Sequence, residues 1–401
     1  MPLAQKSLHI LYVGTLPPHQ GGSAISGSLL LAGFVKRGCS VRALAPMTVE
    51  AAGLGDAFAA GHPEIEVTRF PVSCFENSPD ISPPEEYRKR EDAQIQQKLP
   101  GLIARQRPDI IFIGRETFAW QVPDIARRHA IPCVLRMAGS TTLGILKGTY
   151  SETQARRLFE QFGKVELLVT PARHLAESVR QLGLQRIKTI ANAVDLEHFS
   201  PQPKNRALLQ ELGIEDDEIV VMHLSNMKII KRPEDVVVSA EATVRRNPKL
   251  VYVMVGDGHC RRSLKEMCSR NDLAGRVKFT GWVEYQRVPD YINLADIVVM
   301  PSETETQARV YLETLACARV LLASDIPAAR EVVTHGETGL LFRKGDIEDL
   351  TTKTLLAAGD PKLRAEIGRR ARDRMQAHNI DQAVSAYIAT FREVLEKAAQ
   401  I

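Results

Sequence analysis

The segment Ile297-Val298-Val299-Met300-Pro301-Ser302-Glu303-Thr304-Glu305 joins a short apolar run to a polar loop. Four consecutive apolar residues bounded by a proline are typical of a strand that is buried on both faces of a parallel sheet. Glu313 follows eight residues after Glu305, inside a helical pattern. Two carboxylates at a strand-to-helix junction can hold the hydroxyls of a polyol, while the backbone N–H groups between them face an anion. The segment therefore predicts a parallel strand that ends in a polyol- and anion-binding turn.

Similar apolar runs recur along the chain and alternate with helical patterns. We predict strands at residues 8–14, 40–45, 65–70, 109–113, 132–137, 165–170, 187–190, 218–224, 250–255, 277–280, 296–300 and 320–323. We predict helices at residues 23–37, 85–106, 118–129, 152–161, 172–182, 234–246, 261–270, 310–316, 347–358 and 381–399. This alternation indicates an α/β protein with doubly wound parallel sheets.

The length of 401 residues favours two domains, because one hydrophobic core rarely serves so long a chain. The alternation is lost in a proline-containing stretch near residue 200 and then restarts. We predict an N-terminal domain at 1–196, a linker at 197–206, a C-terminal domain at 207–378 and a helix at 379–401 that packs back on the N-terminal domain. Ligands of such sheets bind outside the carboxyl ends of the strands, so we expect the ligand cleft between two facing domains.

The composition excludes several classes of protein. Apolar residues make up 44% and charged residues 25% of the chain, as in soluble globular proteins, and a net charge of +4 argues against a nucleic-acid binder. The six cysteines form no C-x-x-C motif and are expected to be buried thiols. No signal peptide and no apolar run near the ~20 residues of a membrane span are recognisable. We therefore expect a cytoplasmic protein whose membrane contact is at most peripheral.

Glycines occupy two of the predicted strand-to-helix loops. Gly21 and Gly22 follow the first strand and allow a phosphate to approach the helix N-terminus, or they form an ordinary tight turn. Their sequence is not the G-x-G-x-x-G fingerprint of nicotinamide enzymes. Gly256 and Asp257 follow the strand at 250–255 and permit close packing against a ligand, although Asp257 is as readily a helix cap.

A cluster of cations follows the strand at 218–224. Lys228, Lys231 and Arg232 lie within five residues, and Pro233 opens a helix directly after them. Cations held beside a helix N-terminus can neutralise a diphosphate, whereas the alternative is a solvated basic loop. We predict an anion site here.

These motifs form an ordered series that resembles a known family. The series comprises residues 277–282, 295–302, 324–333 and 336–340 around the Glu305/Glu313 pair, with Gly21-Gly22 and Asn192-Ala193-Val194-Asp195 in the first half. It is similar to the retaining nucleotide-sugar glycosyltransferases of family 4, and the resemblance covers nearly the whole chain. It implies the GT-B fold, two facing Rossmann-like domains.

The resemblance also implies a role for each matched residue. Glu305 matches the glutamate that holds the donor hexose, Glu313 the one that binds the ribose hydroxyls, and Lys231 the lysine on the diphosphate. The turn between the glutamates supplies N–H groups to hexose and diphosphate, and the loop after residue 281 reads the nucleobase. The residues matched to these two segments are Gln307, Ala308, Arg309 and Val310, and Trp282 and Val283. The chain lacks a D-x-D motif, so we expect no metal and no cofactor.

Three positions depart from the family pattern. Asn226 replaces the usual arginine, so that Lys228 or Arg232 must substitute for it. Ala138 stands where the family commonly has a histidine near the reacting centre. The usual Phe-Gly turn has become Gln307-Ala308, which suggests a different donor sugar or a negatively charged acceptor.

Polar residues at the predicted strand ends of the N-terminal domain are candidate acceptor contacts. They are Arg115, Arg136, Ser140 and Thr141, for which packing and capping are the alternative roles. The chain resembles the branch that glycosylates malate and also branches that modify aminocyclitol antibiotics, and the sequence does not separate them.

We expect a metal-independent retaining transferase that moves a hexosyl or N-acetylhexosaminyl group from a nucleotide-diphosphate sugar to a small soluble acceptor. UDP is the favoured nucleotide of the donor. Three alternatives stay open: a non-catalytic nucleotide-sugar-binding protein, a sugar-nucleotide epimerase, and a glycolipid or polysaccharide transferase at a membrane surface. The last would use the basic stretch at 85–107, whose interspersed acidic residues favour a solvated face. The oligomeric state is not predicted.

Overall fold

A computed structural model describes residues 7–19, 21–48, 56–72, 85–146 and 148–400, with the side chains of 85–88 and 140 left out. The chain divides into two compact units. Unit 1 comprises Met1–Asn192 and Ile380–Ile401, and unit 2 comprises Ala193–Asn379. The unit boundary therefore lies at 192/193, and the predicted linker 197–206 falls within unit 2.

Unit 1 is built on a seven-stranded parallel sheet in the order β3-β2-β1-β4-β5-β6-β7. Its strands are β1 (His9–Val13), β2 (Ser40–Thr48), β3 (Glu66–Val72), β4 (Ile110–Ile113), β5 (Cys133–Arg136), β6 (Leu167–Thr170) and β7 (Ile187–Thr189). The four residues of β4 are all buried, as expected for apolar runs covered on both faces. All seven predicted strands of this half are confirmed.

Helices cover both faces of this sheet. They are α1 (Gly22–Lys36), α2 (Ala57–Gly61), α3 (Glu85–Arg105), α4 (Val122–Arg128), α5 (Ser140–Leu146), α6 (Glu152–Phe162) and α7 (Arg173–Gln181), joined by α16 (Ile380–Ala398) from the end of the chain. The predicted single helix at 118–129 is wrong, since a 3₁₀ helix at Glu116–Trp120 precedes α4. Pro123, which favours the first turn of a helix, marks the restart.

Unit 2 is built on a six-stranded parallel sheet in the order β10-β9-β8-β11-β12-β13. Its strands are β8 (Ile219–Leu224), β9 (Leu250–Val255), β10 (Val277–Gly281), β11 (Ile297–Met300), β12 (Val320–Ser324) and β13 (Leu340–Phe342). The prediction missed β13 because three residues give too short a periodic signal. The strand order reverses at β8 and β11, and ligands of such sheets bind at this kind of switch point.

The helices of unit 2 include several that the sequence pattern did not reveal. They are α8 (Arg206–Leu212), α9 (Pro233–Arg246), α10 (Arg261–Arg270), α11 (Val288–Leu294), α12 (Arg309–Ala316), α13 (Pro327–Arg330), α14 (Ile347–Gly359) and α15 (Pro361–Met375). The largest omission, α15, buries the narrow apolar stripe Ile367, Ala371 and Met375 among charged residues. Such a stripe is easily read as a polar loop.

The predicted linker packs against the core of unit 2. Phe199 is fully buried in that core, and Arg372 of α15 donates hydrogen bonds to the carbonyls of Leu196 and Phe199. Buried contacts of this kind require a fixed conformation of the segment. In the described part of the chain no helix is long and apolar enough to cross a membrane.

Candidate functional site

Glu305 and Lys231 meet at the carboxyl ends of the neighbouring strands β8 and β11. Lys231 Nζ donates to Glu305 Oε1 at 2.6 Å, and Ser302 Oγ donates to the same oxygen at 2.8 Å. The Glu305 side chain is 8% exposed and that of Lys231 is 22% exposed. The structure thus joins the predicted hexose ligand and the predicted diphosphate ligand in one partly exposed ion pair.

Arg232 is held by carboxylates of its own surroundings. Its guanidinium pairs with Asp235 in the first turn of α9 through contacts of 2.6 and 3.0 Å, and it lies 3.7 Å from Glu303. The hydrogen bond to Asp235 raises the pKa of Arg232. Arg232 has a positive φ of 49° directly before Pro233, so the pairing also fixes the start of α9. Lys228, at the other end of this loop, is half-buried.

Glu313 and Arg309 form a buried ion pair one turn apart on α12. Arg309 Nη2 lies 3.0 Å from Glu313 Oε1 and donates to the phenol oxygen of Tyr285 at 2.8 Å. Arg309 Nη1 donates to the carbonyl of Ala193 at 3.2 Å. Burial raises the pKa of the Glu313 carboxyl, and Arg309 opposes this shift. The predicted ribose ligand is therefore tied to a cation that the sequence analysis assigned to the turn.

The turn between the two glutamates is compact. Gln307 and Ala308 are buried, and Ala308 precedes α12 without a side-chain cap for the first turn. Val310 packs in the core of unit 2. N–H groups at a helix start are suited to an anion, since the helix dipole is positive there.

Gly256 and Gly258 serve backbone packing between two loops. A Cβ on Gly256 would lie 1.9 Å from the carbonyl oxygen of Ser225, and one on Gly258 would lie 2.0 Å from that of Asn226. Asp257 is half exposed, with a carboxylate oxygen 3.4 Å from Arg261. The glycines thus bring the loop after β9 onto the loop after β8, which carries Lys231.

Trp282 and Val283 follow β10 at the edge of the sheet in unit 2. Trp282 is 48% exposed, which is unusual for a large aromatic side chain, while Val283 packs partly against the core. An exposed indole beside a strand end offers a flat apolar surface, the kind of contact that a nucleobase uses.

His223 is a site-supporting residue that the sequence analysis missed. It lies fully buried in β8, and its Nδ1 is 2.9 Å from the carbonyl oxygen of Val299 in β11. Its Nε2 is 2.7 Å from Ser225 Oγ, which accepts a hydrogen bond from Met227 N. Burial lowers the pKa of His223 to about 4, so Nδ1 donates and Nε2 accepts from the hydroxyl. A histidine inside the apolar run of β8 was the available signal.

In unit 1, one arginine follows β4 and another ends β5, and their surroundings differ. Arg136 is buried and donates to Asn192 Oδ1 at 2.7 Å. Arg115 is half-buried, and no described residue hydrogen-bonds its guanidinium. Burial raises the pKa of Glu91 to about 7, and the charge of Arg115 opposes that shift. Of these two arginines, Arg115 has the guanidinium that makes no hydrogen bond within the described part of the chain.

Glu116 is a second residue that the sequence analysis missed. It is fully buried beside Arg115, and it accepts hydrogen bonds from the backbone N–H groups of Ala138 and Gly139 after β5. Burial raises the pKa of this carboxyl. Glu116 therefore holds the loop in which Ala138 replaces the family's histidine.

The remaining predicted residues of unit 1 lie at helix starts. The Thr141 hydroxyl, in the first turn of α5, is buried and has no hydrogen-bond partner among described residues. The side chain of Ser140 lies outside the described set. Gly21 precedes α1 with a φ of 103°, which favours glycine, and Gly22 is exposed.

Two family models match the chain in tandem. The model described as Glycosyltransferase Family 4 matches residues 20–198, and the model described as Glycosyl transferases group 1 matches residues 204–374. This chain belongs to the family 4-type glycosyltransferases. The first model lies within the N-terminal part of the chain, and the second contains the Glu305 and Glu313 sites of this glycosyltransferase.

Solved structures resemble this glycosyltransferase over almost its whole length. Anabaena HepE in complex with UDP and glucose has a TM-score of 0.78 at 19% identity, covering 96% of this chain and 100% of that one. Sucrose-phosphate synthase from Thermosynechococcus elongatus has a TM-score of 0.81 at 18% identity, covering 97% and 100%. The two parallel-sheet units therefore form a GT-B fold, as predicted.

Curated relatives are similar over part of their length. N-acetyl-alpha-D-glucosaminyl L-malate synthase of Bacillus anthracis is 28% identical over 52% of this chain and 54% of its own length. Alpha-D-kanosaminyltransferase of Streptomyces kanamyceticus is 28% identical over 54% and 56%. D-inositol 3-phosphate glycosyltransferase of Gordonia bronchialis is 24% identical over 70% and 63%. The chain thus spans 54% to 63% of the length of these relatives.

Proposed function

We propose that this chain is a retaining glycosyltransferase that moves a hexosyl or N-acetylhexosaminyl group from a UDP-sugar to a small soluble acceptor without a metal ion. The observation that carries the proposal is the Lys231–Glu305 pair, placed with Glu313 at the switch point of unit 2. Relatives whose names state transfer to malate and to inositol phosphate, and a similar structure that holds UDP and glucose, support it.

In this proposal the donor breaks the Lys231–Glu305 ion pair and makes new contacts with both side chains. The hexose hydroxyls donate to Glu305, which releases Lys231 to the donor's diphosphate. A lysine can make this exchange because its ammonium is a point charge on a flexible stem. Negative charge grows on the leaving diphosphate in the transition state, where Lys231 and the N–H groups at the start of α12 stabilise it. The departing phosphate oxygen accepts the proton of the acceptor hydroxyl.

The acceptor in this proposal carries a carboxylate or a phosphate. Arg115 supports this because its guanidinium is half-buried and has no hydrogen-bond partner among described residues. A guanidinium offers paired donors that match both anions. The buried hydroxyl of Thr141 is a further donor without a described partner.

Glu305→Gln and Lys231→Met should each lower transfer by about 100-fold or more, because each removes a charge that acts on the transition state. We suggest assaying UDP-glucose and UDP-N-acetylglucosamine against L-malate and inositol 3-phosphate, with and without EDTA, and reading the anomeric configuration by NMR. The control is Glu211→Gln, the same change at an exposed position. Full activity in either site variant would contradict the assignment, and loss of activity with EDTA would contradict metal independence.

A non-catalytic nucleotide-sugar-binding protein is the second candidate. It is favoured by Ala138, which places a methyl group where the family commonly has a histidine. Calorimetry would then show that the chain binds UDP-sugar. Activity assays would show neither transfer of the sugar to an acceptor nor hydrolysis of the donor. Product formation with any acceptor would exclude this candidate.

A further inference from the structure

Arg309 occupies a position that is costly for a cation. It begins α12, where the helix dipole disfavours positive charge, and its side chain is 9% exposed. Burying a guanidinium costs several kcal/mol unless ion pairs and hydrogen bonds compensate. A residue held under such conditions needs strong compensation from its surroundings.

The surroundings of Arg309 supply that compensation and also restrict the orientation of its guanidinium. Nη2 contacts Glu313 Oε1 and the phenol of Tyr285, and Nη1 contacts the carbonyl of Ala193. The guanidinium carbon also lies 5.7 Å from the centre of the Tyr285 ring. Several fixed contacts orient the planar group, so the carboxylate that it holds is oriented as well.

Arg309 in turn favours the charged form of Glu313. The Glu313 side chain is 6% exposed, and burial favours the protonated form. The other titratable groups that face it are Tyr285, His198 and Cys317. Within the described chain, Arg309 is the permanent cation in ion-pair contact with Glu313. A carboxylate accepts two hydroxyl hydrogens, whereas a protonated carboxyl gives up part of that capacity.

We propose that Arg309 is a positioning residue that keeps Glu313 ionised and aimed at the ribose diol of the donor nucleotide, with Tyr285 fixing the guanidinium. The inference rests on the proposed function, because it concerns the same donor site. It differs from the role expected for this turn, in which residue 309 contributes a backbone N–H group. It makes Arg309 a determinant of selectivity for ribonucleotides over deoxyribonucleotides.

The test compares the binding of matched ribose and 2′-deoxyribose diphosphates of uridine, guanosine and adenosine to the full chain by calorimetry. For the nucleotide that binds tightest, wild type should prefer the ribose form by about tenfold, as expected for hydrogen bonds to a charged group. Arg309→Met should reduce this preference to about twofold at pH 6.5 and regain part of it at pH 8.5, because a higher pH favours the ionised carboxylate. Arg309→Lys should keep an intermediate preference.

Two further variants separate positioning from packing. In a Glu313→Gln background, Arg309→Met should cost little additional affinity, because the residues act as one unit. This double variant also removes the uncompensated buried carboxylate that threatens folding of the single variant. Arg319→Met, which removes a half-buried arginine elsewhere in unit 2, should leave the ribose preference unchanged.

An unchanged ribose preference in Arg309→Met, with nucleotide still bound, would overturn the inference alone. So would an equal loss of affinity for both sugars at every pH, which is the signature of a packing role. Arg309→Met combined with His198→Gln should keep the pH response of Arg309→Met, and loss of that response would assign it to His198 instead. If wild type binds none of the diphosphates, the proposed function fails and the inference fails with it.

Discussion

At the scale of single residues, Glu305 and Glu313 are each held by a cation, but in different ways. Lys231 contacts Glu305 through one ammonium whose side chain is 22% exposed, so a phosphate can replace the carboxylate. Arg309 contacts Glu313 through a buried guanidinium with further partners, so the pair stays together. Lysine suits the exchangeable contact and arginine the fixed one.

His223 gives a prediction for the pH dependence of stability. Its pKa is about 4 in the fold and about 6.5 when unfolded, so protons bind preferentially to the unfolded chain. Its contribution to the free energy of unfolding is complete above pH 6.5 and falls by about 3 kcal/mol as the pH drops to 4. Urea unfolding at both pH values should show that wild type loses about this much more stability than His223→Gln. Parallel pH profiles would contradict the buried neutral state.

At the scale of elements, the site depends on how closely two loops of unit 2 approach. The loop after β8 carries Lys231, and the loop after β9 touches it through Gly256 and Gly258. A backbone carbonyl cannot move aside as a flexible side chain does. The proposed donor site is thus positioned by backbone contacts between these two loops.

Gly256→Ala should lower the free energy of unfolding by about 3 kcal/mol or more, because the new methyl meets the Ser225 carbonyl at 1.9 Å and φ is 112°. Chemical denaturation measures the change. The control is Gly275→Ala, where a Cβ has no neighbour within 4 Å. Equal stability of the two variants would show that the loops can separate without cost.

At the scale of the whole molecule, the end of the chain completes the first unit. Phe391 of α16 is fully buried, with its ring 5.6 Å from that of Phe34 and 5.3 Å from that of Phe112. Gly33 of α1 allows α16 to pack closely, since a Cβ at residue 33 would lie 2.3 Å from the side chain of Val384. Unit 1 therefore needs both ends of the sequence for its core.

Phe391→Ala should destabilise unit 1 by about 3 to 5 kcal/mol through the cavity that it leaves. The chain has two tryptophans, and Trp120 is buried in unit 1. In a Trp282→Phe background, the fluorescence of Trp120 during urea unfolding reports on that unit. Leu146→Ala, at a position 46% exposed, is the control. An unshifted Trp120 transition would show that α16 adds little to unit 1.

The amino-acid sequence alone was enough to predict the two sheets, twelve of their strands and the loops that carry the carboxylates and the cations. Buried parallel strands leave long apolar runs, and strand-end loops keep their motifs together in the sequence. It could not reveal β13 or α15, whose signals are too short or too narrow, nor the place of residues 197–206 in a core.

Which partner each charged side chain takes became visible only in the fold. Arg232 pairs with Asp235, Arg309 with Glu313 and Arg136 with Asn192, while no described residue hydrogen-bonds the guanidinium of Arg115. The fold also showed Glu116 and His223 as supports buried beneath the loops. Electrostatic and hydrogen-bond pairing depends on distances of a few ångströms between residues far apart in the chain, and spacing along a sequence does not encode those distances.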